Sequence, residues 1–201
     1  GLRKSFERII GLPPEQSDNL GRINHINIFS REQIPVTLSP TLLDVGSGLG
    51  VFPYGMQKGK WQCTAIDPDP RAIEHIRSLG IDAQLSDFMD FTSKKMYSLI
   101  TFNKVLEHVI NPEIMLQKSK EFLSPDGLVY IEVPDGEMAE TEGPEREEFF
   151  VDHHHIFSAT SLSIMANISG FTVLQISRLQ EPSSKFTLRA FLAPHNKKTY
   201  E

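Results

Sequence analysis

The chain has 201 residues, 39% hydrophobic and 23% charged, without an apolar run of about 18 residues, so we expect one globular domain with no transmembrane helix. The formal net charge of −6 disfavours nucleic acid as a partner, because nucleic-acid-binding proteins set clustered Lys and Arg against phosphates. Cys63 is the only cysteine, which excludes an intrachain disulfide and favours a cytoplasmic location, and its apolar surroundings predict a core residue.

The amino-terminal part of the chain is mostly polar and is interrupted by Pro13, Pro14 and Gly21. It predicts a loose helical segment at 1–38 that covers a main domain at 39–201. The chain begins without an initiator Met and lacks the apolar stretch of a signal peptide, so we expect the full protein to extend upstream.

Beyond this segment, apolar strand-like runs alternate with amphipathic helical segments. Strands are predicted at 42–45, 61–66, 81–85, 97–102, 128–133, 171–176 and 186–192. Helices are predicted between the first two strands and at 71–79, 112–123 and 160–169. This alternation predicts an α/β fold, in which a largely parallel sheet is covered by helices on both faces. The short polar link between the last two strands predicts an antiparallel hairpin at one edge.

The most informative motif joins the first strand to the following helix and reads Asp44-Val45-Gly46-Ser47-Gly48-Leu49-Gly50. Gly46 and Gly48 allow a sharp turn and a close approach of the backbone to a ligand. The free N–H groups at the start of the helix favour an anionic group. Asp67 ends the next strand, near the spacing at which an acidic residue accepts the hydroxyls of a ribose. The motif therefore predicts a nucleotide-type cofactor at the carboxyl ends of the strands.

This motif, Asp44-x-Gly46-x-Gly48-x-Gly50, resembles the first motif of the class I S-adenosylmethionine (SAM)-dependent methyltransferases. The resemblance extends over most of residues 40–192. It implies the Rossmann-like fold of that family, with strands in the order 3-2-1-4-5-7-6 and strand seven antiparallel. It also implies SAM as the cofactor and a small molecule as the methyl acceptor.

The resemblance extends to single residues at the strand ends. Asp67 is similar to the family's ribose-binding acid. Ser86-Asp87-Phe88 resembles the family's element on the adenine side, which implies that Asp87 binds the adenine amino group and Phe88 packs near the ring. Asn103 ends the fourth strand and is expected beneath the ligand, because ligands bind outside the carboxyl ends of the strands. The predicted cofactor-binding residues are Asp44, Gly46, Ser47, Gly48, Gly50, Asp67, Pro68, Asp87, Phe88 and Asn103.

Two histidines are candidates for the catalytic site. Glu107-His108 follows the fourth strand, where the small-molecule branch of the family has a similar pair beside the methyl-transfer site. His153 is the predicted general base and His108 the second candidate, because the pKa of imidazole suits proton transfer near neutral pH. The alternatives are a capping or packing role for His153 and backbone hydrogen bonds by the Glu107-His108 pair.

The segment around His153 resembles a stretch of sugar and quinone-type methyltransferases. Phe150 stands where the sugar C-methyltransferases have Tyr, which argues against C-methylation. The run Asp152-His153-His154-His155 also raises the question of a metal site. Consecutive residues cannot all point at one ion, although His153 and His155 could do so in an extended segment. Because no Cys or further His stands at zinc-like spacing, we expect no metal.

The predicted function is in-line transfer of the SAM methyl group to a sugar, lipid-linked or quinone-like hydroxyl. The Glu-rich loop at 134–158 is expected to form a lid and to select the acceptor. The main alternative, a NAD-type oxidoreductase, is disfavoured because Gly50 comes one residue too early for the G-x-G-x-x-G pattern. A SAM-binding module without catalysis is the second alternative, and the glycine motif does not distinguish it from an enzyme.

Overall fold

A seven-stranded sheet forms the centre of the fold, in a computed structural model that describes residues 1–34, 39–150 and 152–195. In chain order the strands are β1 (Thr41–Val45), β2 (Gln62–Asp67), β3 (Asp82–Leu85), β4 (Tyr97–Asn103), β5 (Leu123–Pro134), β6 (Phe171–Gln180) and β7 (Phe186–Pro194). Their spatial order is β3-β2-β1-β4-β5-β7-β6. Strands β1 to β5 pair in parallel, and β7 runs antiparallel to both of its neighbours. The predicted strand order and the antiparallel strand seven are confirmed.

Helices cover both faces of the sheet, as predicted. They are α1 (Leu2–Ile10), α2 (Asp18–Gln33), α3 (Val51–Lys58), α4 (Pro70–Ser78), α5 (Pro112–Ser119), α6 (Gly136–Glu140) and α7 (Ala159–Ile168), with short 3₁₀ turns at Pro14–Gln16, Leu106–His108, Lys120–Phe122 and Glu147–Phe149. Among the described residues, none of the helices is long and apolar enough to cross a membrane.

The core lies in two layers, one on each side of the sheet. Successive side chains of a strand point to opposite faces, so Leu42 of β1 packs in one layer and Leu43 in the other. The first layer contains Ile23 of α2 together with buried residues of α3 and α4, and the second contains Leu116 of α5 and Leu162 of α7. Because both faces are covered, the central strands are buried over most of their length rather than alternating between buried and exposed residues.

The amino-terminal segment is more regular than the predicted loose helical cover. Ser17 ends the proline-containing turn and begins α2, because its side-chain oxygen accepts a hydrogen bond of 3.2 Å from the Leu20 N–H. Ile23 and Ile26 on this helix are buried against α3 and the sheet. The predicted boundary at residue 38 lies outside the described residues.

Two other predicted elements differ from the structure. The helix predicted at 112–123 ends at Ser119 and continues only as a 3₁₀ turn. The turn predicted at 125–127 lies inside β5, at an irregularity of its pairing with β4. A side-chain carbon at Gly127 would come within 2.9 Å of the Tyr97 carbonyl oxygen, so this glycine permits close strand contact instead of a chain reversal.

Candidate functional site

The glycine turn between β1 and α3 requires all three of its glycines. Gly46, Gly48 and Gly50 have φ values of 68°, 52° and 67°, in the left-handed region that glycine adopts without steric penalty. A side-chain carbon at Gly46 would lie 2.7 Å from Val105, and one at Gly50 would lie 2.8 Å from Ile76. A side-chain carbon at Gly48 would have no atom of the other described residues within 4 Å. The outer two glycines therefore make room for packing, and the middle one leaves open space beside the turn.

Asp44 lies at the base of this turn as a buried acid. It is 2% exposed, and its Oδ1 accepts hydrogen bonds from Thr101 Oγ1 at 2.7 Å and Asn103 Nδ2 at 2.9 Å. Burial raises the pKa of Asp44 from 3.8 to about 6, although the two hydrogen bonds favour the ionised form. The end of β4 thus positions Asn103 directly against Asp44, as expected for neighbouring parallel strands.

Asp67, at the end of β2, is held against the same turn. Its Oδ2 accepts from the Gly48 N–H and its Oδ1 from the Asp69 N–H, both at 2.8 Å. The side chain is buried, so these two backbone bonds fix its orientation. A ribose hydroxyl at this position would meet a carboxylate that is already aligned by the chain around it.

The other predicted cofactor residues occupy different surroundings. Ser47 Oγ donates to the carbonyl oxygen of Asp44 at 2.9 Å, and Pro68 is exposed after β2. Asp87 is exposed after β3, and its Oδ1 accepts from the Met89 N–H at 2.7 Å. The Phe88 ring packs in the core against the rings of Phe91, Phe102 and Phe122. Its contact with an adenine stays a prediction.

A cavity of about 690 Å³ lies beside the glycine turn. Four predicted cofactor residues line it, namely Asp44, Gly46, Ser47 and Asn103. The opposite wall comes from the amino-terminal segment, including Asn19 and Arg22 of α2, and Lys104 closes one side. Asn19 and Arg22 belong to no motif that would identify them as wall residues from the sequence alone.

A buried ion-pair network anchors α2 to the sheet beside this cavity. Arg22 donates from Nε to Glu132 Oε2 at 2.8 Å and makes a second bond from Nη2 to Oε1. Glu132 is fully buried on β5, and it also accepts a 2.9 Å bond from the Tyr130 hydroxyl. Burial alone would raise the pKa of Glu132, but the charge and hydrogen bonds of Arg22 outweigh it and lower the pKa to about 2. Arg189 of β7 adds a second cation, 3.6 Å from Glu132.

A second, smaller cavity brings the two predicted catalytic histidines together. It has a volume of about 260 Å³, and its lining includes Glu107, His108 and His153. The two imidazole rings lie with centroids 4.9 Å apart. Lys104 and Lys185 line both this cavity and the larger one, so the two spaces adjoin. The histidines thus lie next to the predicted cofactor cavity.

Hydrogen bonds fix the setting of both rings. His153 Nδ1 lies 2.9 Å from the Glu148 carbonyl oxygen, and His108 Nδ1 lies 3.2 Å from the Asp152 carbonyl oxygen. A carbonyl oxygen only accepts hydrogen bonds, so each Nδ1 carries a proton, and in the neutral form of either ring the lone pair is on Nε2. The backbone N–H of His154 also donates to the Glu107 carbonyl oxygen at 2.7 Å, which joins the two histidine-containing segments.

Some acids of the loop at 134–158 form ion pairs, and the role of this loop as a lid stays a prediction. Arg146 bonds Glu142 at 2.9 Å and Glu148 at 2.7 Å, so two of its acids are paired within the loop. Glu148 Oε1 also accepts from the Phe186 N–H at 2.7 Å, which ties the loop to β7. His153 bonds to the carbonyl oxygen of Glu148. The positions of both residues therefore depend on the contact between Glu148 and β7.

Comparison with known proteins agrees with this architecture. The model of a methyltransferase-domain family matches residues 13–176. Ubiquinone biosynthesis O-methyltransferase of Actinobacillus pleuropneumoniae serotype 5b (strain L20) is 30% identical over 101 residues, which are 44% of this chain and 43% of that protein. (S)-coclaurine N-methyltransferase of Thalictrum flavum subsp. glaucum is 33% identical over 101 residues, 46% of this chain and 28% of that protein. The matched stretch thus spans less than half of either relative.

Solved structures share the fold at low sequence identity. The plantazolicin methyltransferase BpumL, in complex with a pentazolic desmethylPZN analog and SAH, superimposes with a TM-score of 0.73 and 16% identity, over 97% of this chain and 90% of that one. Burkholderia thailandensis 1,6-didemethyltoxoflavin-N1-methyltransferase has 1,6-didemethyltoxoflavin and S-adenosylhomocysteine bound. It superimposes with a TM-score of 0.71 and 15% identity, over 96% of this chain and 85% of that one. The family model covers most of the chain and the sheet has the expected order, so the chain belongs to the methyltransferase-domain family and has the fold of the class I SAM-dependent methyltransferases.

Proposed function

We propose that this protein transfers the methyl group of SAM to a hydroxyl oxygen of a small-molecule acceptor. The observation that carries the proposal is the junction of two cavities at Lys104 and Lys185, one lined by the glycine turn and the other by two imidazoles. A methyl donor in the first cavity and an acceptor in the second would meet at that junction. The name of the Actinobacillus relative, an O-methyltransferase, favours oxygen as the acceptor atom.

The residues that line the first cavity, together with Asp67 and Asp87 at the neighbouring strand ends outside its lining, suit a cationic adenosyl cofactor. We assign the turn at 46–50 to the amino-acid part of SAM and Asp67 to its ribose, with Asp87 on the adenine side. The open space at Gly48 admits a ligand against the backbone, and the buried Asp44 offers negative charge near the base of the turn. When bound, SAM supplies a methyl group on a sulfonium, which is already reactive, so the protein mainly has to align donor and acceptor.

His153 is the proposed proton acceptor for the hydroxyl, and His108 is the second candidate. The Glu148 carbonyl oxygen holds His153 with its proton on Nδ1, which leaves the Nε2 lone pair available. A proton accepted there would give an imidazolium beside Glu107, and the negative carboxylate of Glu107 would stabilise that charge. The protein thus removes one proton and provides a counter-charge, while the methyl group moves in line from sulfur to oxygen.

The acceptor class follows from the lining of the second cavity. Phe150 and Phe186 offer aromatic surface, and the charged lining consists of two lysines, Lys104 and Lys185, and four acids, Glu107, Glu147, Glu148 and Asp152. A quinone-like phenol fits the aromatic surface best, and sugar or lipid-linked hydroxyls are the alternatives. A location in the cytoplasm and the exclusion of nucleic acid as a partner stay predictions.

Calorimetric titration with SAM, S-adenosylhomocysteine and NAD tests the cofactor assignment. We expect heat with the first two and none with NAD; tight binding of NAD alone would support the oxidoreductase alternative instead. Turnover on a panel of phenolic and sugar acceptors then distinguishes an enzyme from a SAM-binding module, because a module binds SAM without consuming it.

The proton-transfer assignment is tested with His153→Ala and His108→Ala, using His154→Ala as the matched control. His154 is exposed and lies outside the lining of the second cavity. His153→Ala should lower kcat by about 100-fold or more while the affinity for SAM stays unchanged. Full turnover by His153→Ala would contradict its role as the base.

A further inference from the structure

Glu107, His108 and His153 form a compact set of metal-binding side chains. One carboxylate oxygen and one ring nitrogen from each histidine all lie within 4.8 Å of one another. The residues come from two segments, the 3₁₀ turn after β4 and the loop before α7. This juxtaposition is not visible in the sequence, where only the consecutive run at 152–155 suggested metal binding.

Glu107 presents a buried oxygen that lacks a partner. Its side chain is 1% exposed, yet Oε2 has no hydrogen bond within the described part of the chain. A buried carboxylate oxygen without a partner is unfavourable, and folded proteins satisfy nearly all such groups with a donor, a water molecule or a cation. Glu107 lines the second cavity together with both histidines, so the ligand that completes its bonding would lie among the three.

The hydrogen bonds of the two histidines match those of metal ligands. A histidine that binds a metal usually donates its other ring N–H to a carbonyl or carboxylate oxygen, which fixes its tautomer. His153 and His108 direct Nδ1 at the carbonyl oxygens of Glu148 and Asp152, so each keeps Nε2 free to coordinate. This feature is independent of the unpartnered carboxylate and points to the same kind of ligand.

We propose that Glu107, His108 and His153 bind a divalent first-row transition-metal cation. Two imidazole nitrogens and one carboxylate oxygen suit Zn²⁺, Co²⁺, Mn²⁺ or Fe²⁺ better than Mg²⁺ or Ca²⁺, which prefer oxygen ligands only. Bond lengths of about 2.0–2.2 Å require ligand atoms about 3.4 Å apart, so ligand atoms as far apart as 4.8 Å must approach by about 1.4 Å. His108 can supply that movement, because its side chain is 41% exposed.

The backbone already joins the two halves of this site. The N–H groups of His154 and His155 donate to the Glu107 carbonyl oxygen at 2.7 and 3.3 Å. His155 Nε2 lies a further 3.1 Å from the Ile110 carbonyl oxygen. The loop thus lies next to the 3₁₀ turn whether or not a cation binds, and an ion would need only a side-chain adjustment.

Metal binding at this site does not require methyl transfer, but it affects the proposed mechanism. The lone pairs that would bind the cation are those that would accept the proton, so an imidazole cannot do both at once. The bound ion would leave coordination positions open toward the cavity, where an acceptor hydroxyl could bind. Metal binding and proton acceptance therefore need separate measurements.

The experiment is a titration of the full chain with Co²⁺ after removal of bound metals by a chelator, without methyl donor or acceptor. Coordination by imidazole and carboxylate gives visible d–d absorption, and Zn²⁺ should displace Co²⁺ and abolish it. We expect one equivalent of Co²⁺ to bind the wild-type protein. His153→Ala and His108→Ala should each weaken binding by at least about tenfold, whereas His154→Ala should bind like the wild type.

Glu107→Gln should also lose affinity, and its circular dichroism and thermal unfolding will show whether it folds. If Glu107→Gln does not fold, His108→Ala keeps the test decisive, because His108 is exposed and its removal leaves the core intact. Absence of d–d absorption in the wild type would overturn the proposal, as would equal affinity in His108→Ala and His154→Ala. Either result leaves the proposed methyl transfer untouched, since turnover is not measured.

Discussion

Replacement of Asp44 by Asn should stabilise the cofactor-free protein near neutral pH. Asp44 is 2% exposed, and burial raises its pKa from 3.8 to about 6. Between pH 3.8 and about pH 6 the folded state binds more protons than the unfolded state. The free energy of unfolding therefore falls as the pH rises over this range. A difference of roughly two pKa units corresponds to about 3 kcal/mol at pH values above both. Asn keeps the acceptor oxygen for Thr101 and Asn103 but has no charge to bury.

Urea denaturation at about pH 4.5 and about pH 7.5 measures this effect for both proteins. From the lower to the higher pH, the free energy of unfolding of Asp44→Asn should rise by about 2 kcal/mol relative to that of the wild type. The change is smaller than the full effect because the wild type has already lost part of its stability at the lower pH. Asp90→Asn, at an exposed acid, is the matched control and should show no such trend. The affinity for SAM should fall in Asp44→Asn. A stability difference that does not change with pH would contradict the reasoning.

Glu132→Gln should lower the free energy of unfolding by about 3–5 kcal/mol in urea denaturation, because it leaves the buried Arg22 without its counter-charge. The pKa of Glu132 is about 2, so the wild type should lose this stabilisation as the pH falls from about 4.5 toward 2, and a flat acid profile would be inconsistent with the ion pair. Gly50→Ala should lower the Tm more than Gly48→Ala, because its added carbon meets Ile76 at 2.8 Å while position 48 has open space. Equal Tm losses would show that backbone strain alone matters.

The parts of the fold that the sequence predicted are those encoded by neighbouring residues. The strands and helices followed from alternating apolar segments, and the strand order was implied by the resemblance around Asp44 and the three glycines. The same local motif predicted a cavity at the ends of β1 and β4, because ligands bind there in parallel sheets. The helical cover was predicted without its detail, and the cap at Ser17 and the buried Ile23 give α2 a regular structure.

The parts that the sequence did not predict depend on contacts between distant segments. Arg22 of α2 and Glu132 of β5 stand 110 residues apart in the chain, and neither stands in a motif that would indicate a buried pair. The expectation of no metal considered only the run at 152–155, whereas the structure sets His153 beside Glu107 and His108 through a backbone bond from His154. A periodic pattern identifies one face of one element, but it does not show which elements face each other.

The bond between Arg22 and Glu132 has a consequence for anyone who shortens this protein for biophysical work. The amino-terminal helices look like a removable extension, but a deletion through α2 would uncover one side of the sheet and open the wall of the larger cavity. It would also leave Glu132 with Arg189, 3.6 Å away, in place of its closest cation. Variants that begin after Arg22 should lose the folded, ligand-competent sheet. Those that begin at Ser17 should keep the bond between Arg22 and Glu132 but lose Arg8, Ile9, Leu12 and Gln16 from the wall of the larger cavity.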